Sequence, residues 1–126
     1  MNTDLLIVLL ASMRIAIGLA PMVAASRTSQ LLGFPASHDN PTARLMGRLF
    51  GVRDIGLGVV AIAALFGHVS LPFALLFNAS MDAGDALMIS IPLVRRQGID
   101  RAAIASLVLA VIGGSAWLGT YLLFAR

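Results

Sequence analysis

The 126-residue chain contains no cysteine, which excludes disulfides, thiol catalysis and Cys-ligated metals and leaves the redox compartment undetermined. Lysine and glutamate are missing too: all nine cations are arginine and all six acids aspartate. Charge of either sign is scarce, at 12% of residues against 59% hydrophobic, whereas soluble domains carry about a quarter charged residues. A soluble core of this size could not bury that much apolar surface, so the expected solvent is lipid. The net charge of +3 does not imply a nucleic-acid partner, because the arginines sit at helix ends and inside apolar runs rather than along a solvated stripe. The only histidines, His38 and His68, fall in connections expected on opposite sides of the membrane, which excludes a haem bridged between helices. Zinc lacks its usual Cys and His ligands. There is no glycine-rich phosphate loop, since Gly56 and Gly58 lie inside an apolar run. No cofactor and no metal is expected.

Four stretches are long enough to cross a bilayer, which takes about 20 mostly apolar residues. They run approximately over Leu5–Ala25, Ala43–Phe66, Leu71–Val94 and Arg101–Phe124. The spacing therefore predicts an all-α, integral four-helix transmembrane bundle, with residues 1–126 as a single membrane domain. Asn40 before Pro41 reads as an N-cap with proline at the first helical position. Ser70 and Asp100 read as N-caps and Gly67 and Gly98 as helix stops. Residues 26–41 form the one long connection. Arg27, Arg44, Arg95, Arg96 and Arg101 lie in the first and third connections, and none lies around "GHVSL" in the second. The positive-inside rule then places both termini outside the cytoplasm and the protein in the cell membrane. Trp117 and Tyr121 read as an outer aromatic belt. Asp4 and Arg14 argue against a cleaved signal peptide at the start of the chain.

Several ionisable groups interrupt these runs. "RLFGVRDIGLG" carries Arg48, Arg53 and Asp54, "FNASMDAGDAL" carries Asn78, Asp82 and Asp85, and Arg14 lies in the middle of the first span. At about 100° per residue, Asn78, Asp82 and Asp85 share one helix face. Arg53 and Asp54, being adjacent, can both point inward only toward different neighbours. Arg48 falls on a third side, suited to snorkelling or a subunit contact. Five deep charges facing lipid would cost on the order of 12–18 kcal/mol, so pairing Arg with Asp in one interior cluster is expected. Gly47, Gly51 and Gly58 in the second span, and Ala102, Ser106, Ala110 and Gly114 in the fourth, form small-residue seams, which could also serve a homo-oligomer.

The segments "RLFGVRDIGLGVVA" and "FNASMDAGDAL" resemble a family of small four-helix membrane proteins of unknown function, distantly akin to the DoxX-like proteins. Arg48, Gly51, Arg53, Asp54, Gly56, Gly58, Asp82 and Asp85 carry the resemblance, which covers roughly residues 45–125. It implies a four-helix membrane fold and no established activity.

Three functions fit the cluster. The first is an acid/base enzyme acting on a lipophilic small molecule, by epoxide hydrolysis, isomerisation or cyclisation. Asp82 and Asp85 are its acid/base candidates, and Arg53 and Asp54 the remaining catalytic candidates. Asn78, Arg14 and Arg48 are candidates to bind substrate. An Asp–Arg–Asp group with an amide to hold water resembles, by its chemistry, the sites of small epoxide hydrolases. The second is a small proton- or ion-coupled transporter. The third is an accessory or assembly subunit in which the buried charges are only a structural clasp. A sodium or divalent ion held by Asn78, Asp54, Asp82 and Asp85 is disfavoured by Arg53 nearby.

Overall fold

In the computed structural model, residues 2–126 are described. They form five α-helices: α1 (Thr3–Val23), α2 (Ala25–Leu32), α3 (Pro41–Leu65), α4 (Leu71–Val94) and α5 (Asp100–Phe124), with one 3-10 turn at Ala36–His38. The fifth helix is α2, which occupies half of the expected long connection. Eight residues are too short for a hydrophobic period to stand out in sequence.

Helix ends follow local side-chain chemistry. Asn40 accepts a hydrogen bond from the Ala43 N–H at 2.9 Å ahead of Pro41, and Ser70 accepts from the Phe73 N–H at 3.4 Å. Both satisfy amides left free at a helix start. Asp100 is instead the first helical residue, and Ile99 before it supplies no cap. α3 closes at Gly67, whose φ of +78° lets the His68 N–H return to the Ala63 carbonyl at 3.1 Å. α4 closes in the same way through Arg96, a non-glycine residue at φ +51°.

α1 packs chiefly along α3, and α4 along α5, while fewer contacts join α3 to α4 and α1 to α5. The four long helices thus form a ring. Gly18 lies opposite Gly51, and Ala11 and Ile15 opposite Gly58, so α1 and α3 run antiparallel. A Cβ on Gly18 would stand 2.5 Å from the Gly51 carbonyl oxygen, and one on Gly51 would meet the Gly18 carbonyl closer still. The second-span glycines therefore pack against α1 of the same chain. In the α5 seam Ala102 and Ala110 are buried and Gly114 faces Ala79, Asp82 and Ala83 of α4. Both seams are occupied within one chain.

Toward the end where α1 begins, Ile7, Ala11, Ala61, Leu75 and Trp117 make an apolar core. Trp117 is only 2% exposed, so it is a core residue and not the belt residue its position near a span end suggested. Outside, Met13, Val59, Leu87 and Ile112 are each more than half exposed. A surface this apolar fits lipid contact. α1, α4 and α5 are long and apolar enough to cross a membrane. α3 matches them at 25 residues but carries Arg44, Arg48, Arg53 and Asp54. The molecule is a helical membrane protein with charges in its interior.

Candidate functional site

Arg14 projects from α1 into the middle of the ring. Its Nη1 donates to Asp54 Oδ1 of α3 at 3.2 Å, and its Nη2 donates to Asp82 Oδ2 of α4. The guanidinium also lies 5.8 Å from the centroid of the Trp117 ring on α5, within cation–π range. One side chain thereby ties four helices together. Arg14, Asp54 and Asp82 are all buried.

A second pair adjoins this bridge. Arg53 of α3 donates from Nη1 and Nη2 to the two carboxylate oxygens of Asp85 on α4, at 2.8 and 2.6 Å. Such bidentate pairs are the strong form of the interaction. Arg53 Nη2 is also 3.9 Å from Asp54 Oδ1, which joins the two pairs into one cluster. Arg53 and Asp85 are only partly buried, with side chains 29% and 23% exposed. The Arg53 guanidinium covers the Phe50 ring at 5.1 Å. The cluster therefore has a dry centre at Arg14 and a wetter or lipid-facing edge at Arg53–Asp85.

Asn78 sits one turn from Asp82 and is fully buried. Its amide nitrogen donates to the Leu57 carbonyl at 3.3 Å and the Ala74 carbonyl at 3.0 Å, while Oδ1 has no hydrogen-bond partner. Arg53 Nε is likewise buried and unpartnered. Buried polar atoms without partners are uncommon and call for a ligand or water. Space for the Asp82 carboxylate comes from α5: a Cβ on Gly113 would stand 2.8 Å from Asp82 Oδ2, and one on Gly114 3.3 Å from Asp82 Cβ.

The DUF4267 profile, described as a domain of unknown function, matches residues 11–123. The chain belongs to the DUF4267 family. No curated protein and no solved structure matches it. The match reaches further toward the N-terminus than the resemblance of residues 45–125, and it takes in Arg14, so the whole cluster lies within the DUF4267 domain. A distant DoxX-like kinship goes beyond this match.

Within this DUF4267 chain, six of the seven candidate residues lie at or beside the interior cluster: Arg14, Arg53, Asp54, Asn78, Asp82 and Asp85. Arg48 does not. It is exposed and lines a cleft at the end of α3 with Arg27 and Arg44. The fold decides how the expected Arg–Asp pairing is divided. Arg53 hydrogen-bonds to Asp85 and only approaches Asp54, while Arg14 hydrogen-bonds to both Asp82 and Asp54. Sequence reasoning missed Trp117 and Gly113, and the Gly113–Gly114 doublet was the available signal for the second. Among the described residues, no three carboxylates or imidazoles converge as a metal-binding group; the aspartates face arginine instead.

Proposed function

We propose that this DUF4267 protein crosses the cell membrane four times, with both termini outside the cytoplasm, and that its cluster is an acid/base site for a lipophilic molecule. The observation that carries the reading is the Asp54–Arg14–Asp82 bridge. Two carboxylates share one guanidinium, and with Arg53–Asp85 the cluster holds three aspartates against two arginines. In a low-dielectric interior an unbalanced charge is costly, and a proton shared by Asp54 and Asp82 would balance it. One proton between two carboxyl groups is what a general acid and general base require.

In the hydrolytic form of the reaction, Asp82 takes a proton from a water held by the free Asn78 Oδ1. That water adds to one carbon of an epoxide, the ring C–O bond breaks, and Asp54 protonates the leaving oxygen to give a diol. In an isomerase the same pair would remove a proton at one carbon and return it at another. Arg14 holds both carboxyls in place. Arg53–Asp85, at the exposed edge, would meet the polar end of a substrate entering from the lipid.

The test is to extract lipophilic molecules that co-purify with the protein, identify them by mass spectrometry, and incubate them and matching epoxides in ¹⁸O-labelled water. One labelled oxygen per diol is expected, with turnover reduced about 10²–10⁴-fold in Asp82→Asn and Asp54→Asn. Unchanged turnover in folded Asp82→Asn protein sinks the reading. A structural clasp is the second reading, favoured by both Arg14 terminal nitrogens being engaged. Replacing all five charged residues by apolar ones would then leave folding and co-purifying molecules unaltered. Proton flux through vesicles that depends on Asp82, without product, would assign the site to transport.

The orientation rests on arginine. Gly33, just after α2, packs against the Arg101 side chain at the start of α5, so the two arginine-bearing connections lie at one end. Single cysteines at Ser37 and Gln97 should resist a membrane-impermeant maleimide in intact cells, and one at Ser70 should react. The reverse pattern would invert the topology.

A further inference from the structure

We infer that the cleft at the junction of α1, α2 and α3 binds the phosphate of an anionic phospholipid headgroup. The cleft has a volume of about 480 Å³ and is lined by Val23, Ser26, Arg27, Arg44 and Arg48, among others, with no carboxylate in its wall. Arg44 and Arg48, four residues apart, share one face of α3, and Arg27 comes from the first turn of α2. Arg44 donates two hydrogen bonds to the Asp39 carboxylate, from Nε at 2.8 Å and Nη2 at 3.1 Å, which fixes the direction of that guanidinium. Arg27 and Arg48 have no carboxylate partner among the described residues. Two uncompensated guanidiniums beside a fixed third suit a phosphate, whose oxygens match the planar fork of arginine.

Apolar surroundings favour a lipid over a free anion. Val23, in the cleft wall, is 83% exposed, and Leu31 on α2 is 87% exposed. A second hollow, lined by Arg27, Gln30 and Leu31, shares Arg27 with the first. Cations thus stand at the boundary of an apolar face, the arrangement a headgroup with its acyl chains would cover. The inference does not depend on the acid/base reading, because none of these residues belongs to the interior cluster.

The experiment is native mass spectrometry of the full chain in a neutral detergent, titrated with phosphatidylglycerol or phosphatidylcholine. Phosphatidylglycerol should bind at least about tenfold tighter, and Arg27→Gln/Arg48→Gln should abolish most of that preference, since charge-assisted hydrogen bonds are worth about a decade in affinity each. Arg95→Gln/Arg96→Gln removes equal charge from the other connection and should leave the preference intact. Arg27→Lys/Arg48→Lys keeps charge and folding but not the fork, and should lose part of the preference. Equal affinity for the two lipids, or equal loss in the two Gln pairs, overturns the inference. Displacement of phosphatidylglycerol by millimolar sodium phosphate would assign the cleft to a free phosphate and overturn the lipid; failure to displace supports it.

Discussion

Arg14 and Asp82 lie 68 positions apart in the chain, yet their side chains meet in a hydrogen-bonded ion pair at the middle of the helix ring. Among the described residues Asp82 has no other arginine within ion-pair distance, and Asp54 has only Arg53, at 3.9 Å. Removing the Arg14 cation should therefore strand carboxylates in the interior. Arg14→Met is expected to destabilise the fold by about 3–5 kcal/mol, the usual result of breaking a buried pair from one side. Arg14→Lys should recover only part, because an ammonium offers a point charge and not two separate nitrogens. Adding Asp54→Asn and Asp82→Asn to Arg14→Met should restore most of the loss. Unfolding midpoints in mixed micelles measure all three, and a wild-type midpoint for Arg14→Met would contradict the bridge.

Close approach of α1 and α3 depends on two glycines. Gly51→Ala puts a methyl group into the Gly18 carbonyl, and backbone cannot yield as a flexible side chain can. A loss of about 1–3 kcal/mol is expected. Gly56→Ala is the control, since a Cβ there meets nothing within 4 Å, and it should be neutral or stabilise by about 0.5–1 kcal/mol. Similar gains for the two variants would mean that helix entropy, not the close contact at Gly51, governs both.

Gly113→Ala tests the seat of Asp82 without touching a charge. The added methyl would stand 2.8 Å from Asp82 Oδ2 and push the carboxylate off Arg14. We expect the activity or ligand retention assigned to Asp82 to fall at least tenfold, with a stability loss of about 1–3 kcal/mol. An Asp82 carboxyl carbon with an unchanged ¹³C chemical shift in Gly113→Ala would show that the side chain had not moved.

Asp39 offers a pH readout outside the helices. The hydrogen bonds from Arg44 hold its carboxyl at about 2, below the ordinary 3.8. A depressed folded-state value means that the pair's contribution is present above pH 3.8 and fades as pH falls through about 2. Arg44→Gln should raise the Asp39 midpoint, followed by carboxyl ¹³C shifts, most of the way toward the ordinary range, with the Ser26 hydroxyl holding the remainder. A midpoint unmoved by that substitution would mean another group holds Asp39.

Arg96 adopts φ +51° where α4 closes, a left-handed conformation that costs L-residues roughly 1–2 kcal/mol. Arg96→Gly should stabilise the protein by about 1 kcal/mol, visible as a rise in Tm of a few degrees. A fall in Tm would show that the arginine side chain contributes more than its backbone costs.

Much of the architecture was legible along the chain because its causes are local. Asn40 with Pro41, and Ser70, cap helices through atoms three residues away, and apolar run length is a property of contiguous sequence. The adjacency of Arg53 and Asp54 already required different partners, since a helix turns about 100° between neighbours. Arg53 accordingly faces α4 and Asp54 faces α1. Less was legible where a residue's environment depends on distant chain. Trp117 reads from its position as a belt residue, and only the approach of α1, α3 and α4 makes it core. Helix geometry already put Arg48 on a different side of α3 from Asp54, and only the fold shows that it lines the cleft with Arg27 and Arg44 instead of meeting a substrate at the cluster.

Composition and periodicity alone determined that this is a helical chain for an apolar solvent with opposite charges forced inside, because hydration energy and helix geometry act residue by residue. Which arginine meets which aspartate was decided only by the tertiary structure. Those pairs join helices whose relative rotation and height are set by packing, notably by the absent side chains of Gly18, Gly51 and Gly113, and no local term in the sequence encodes that rotation.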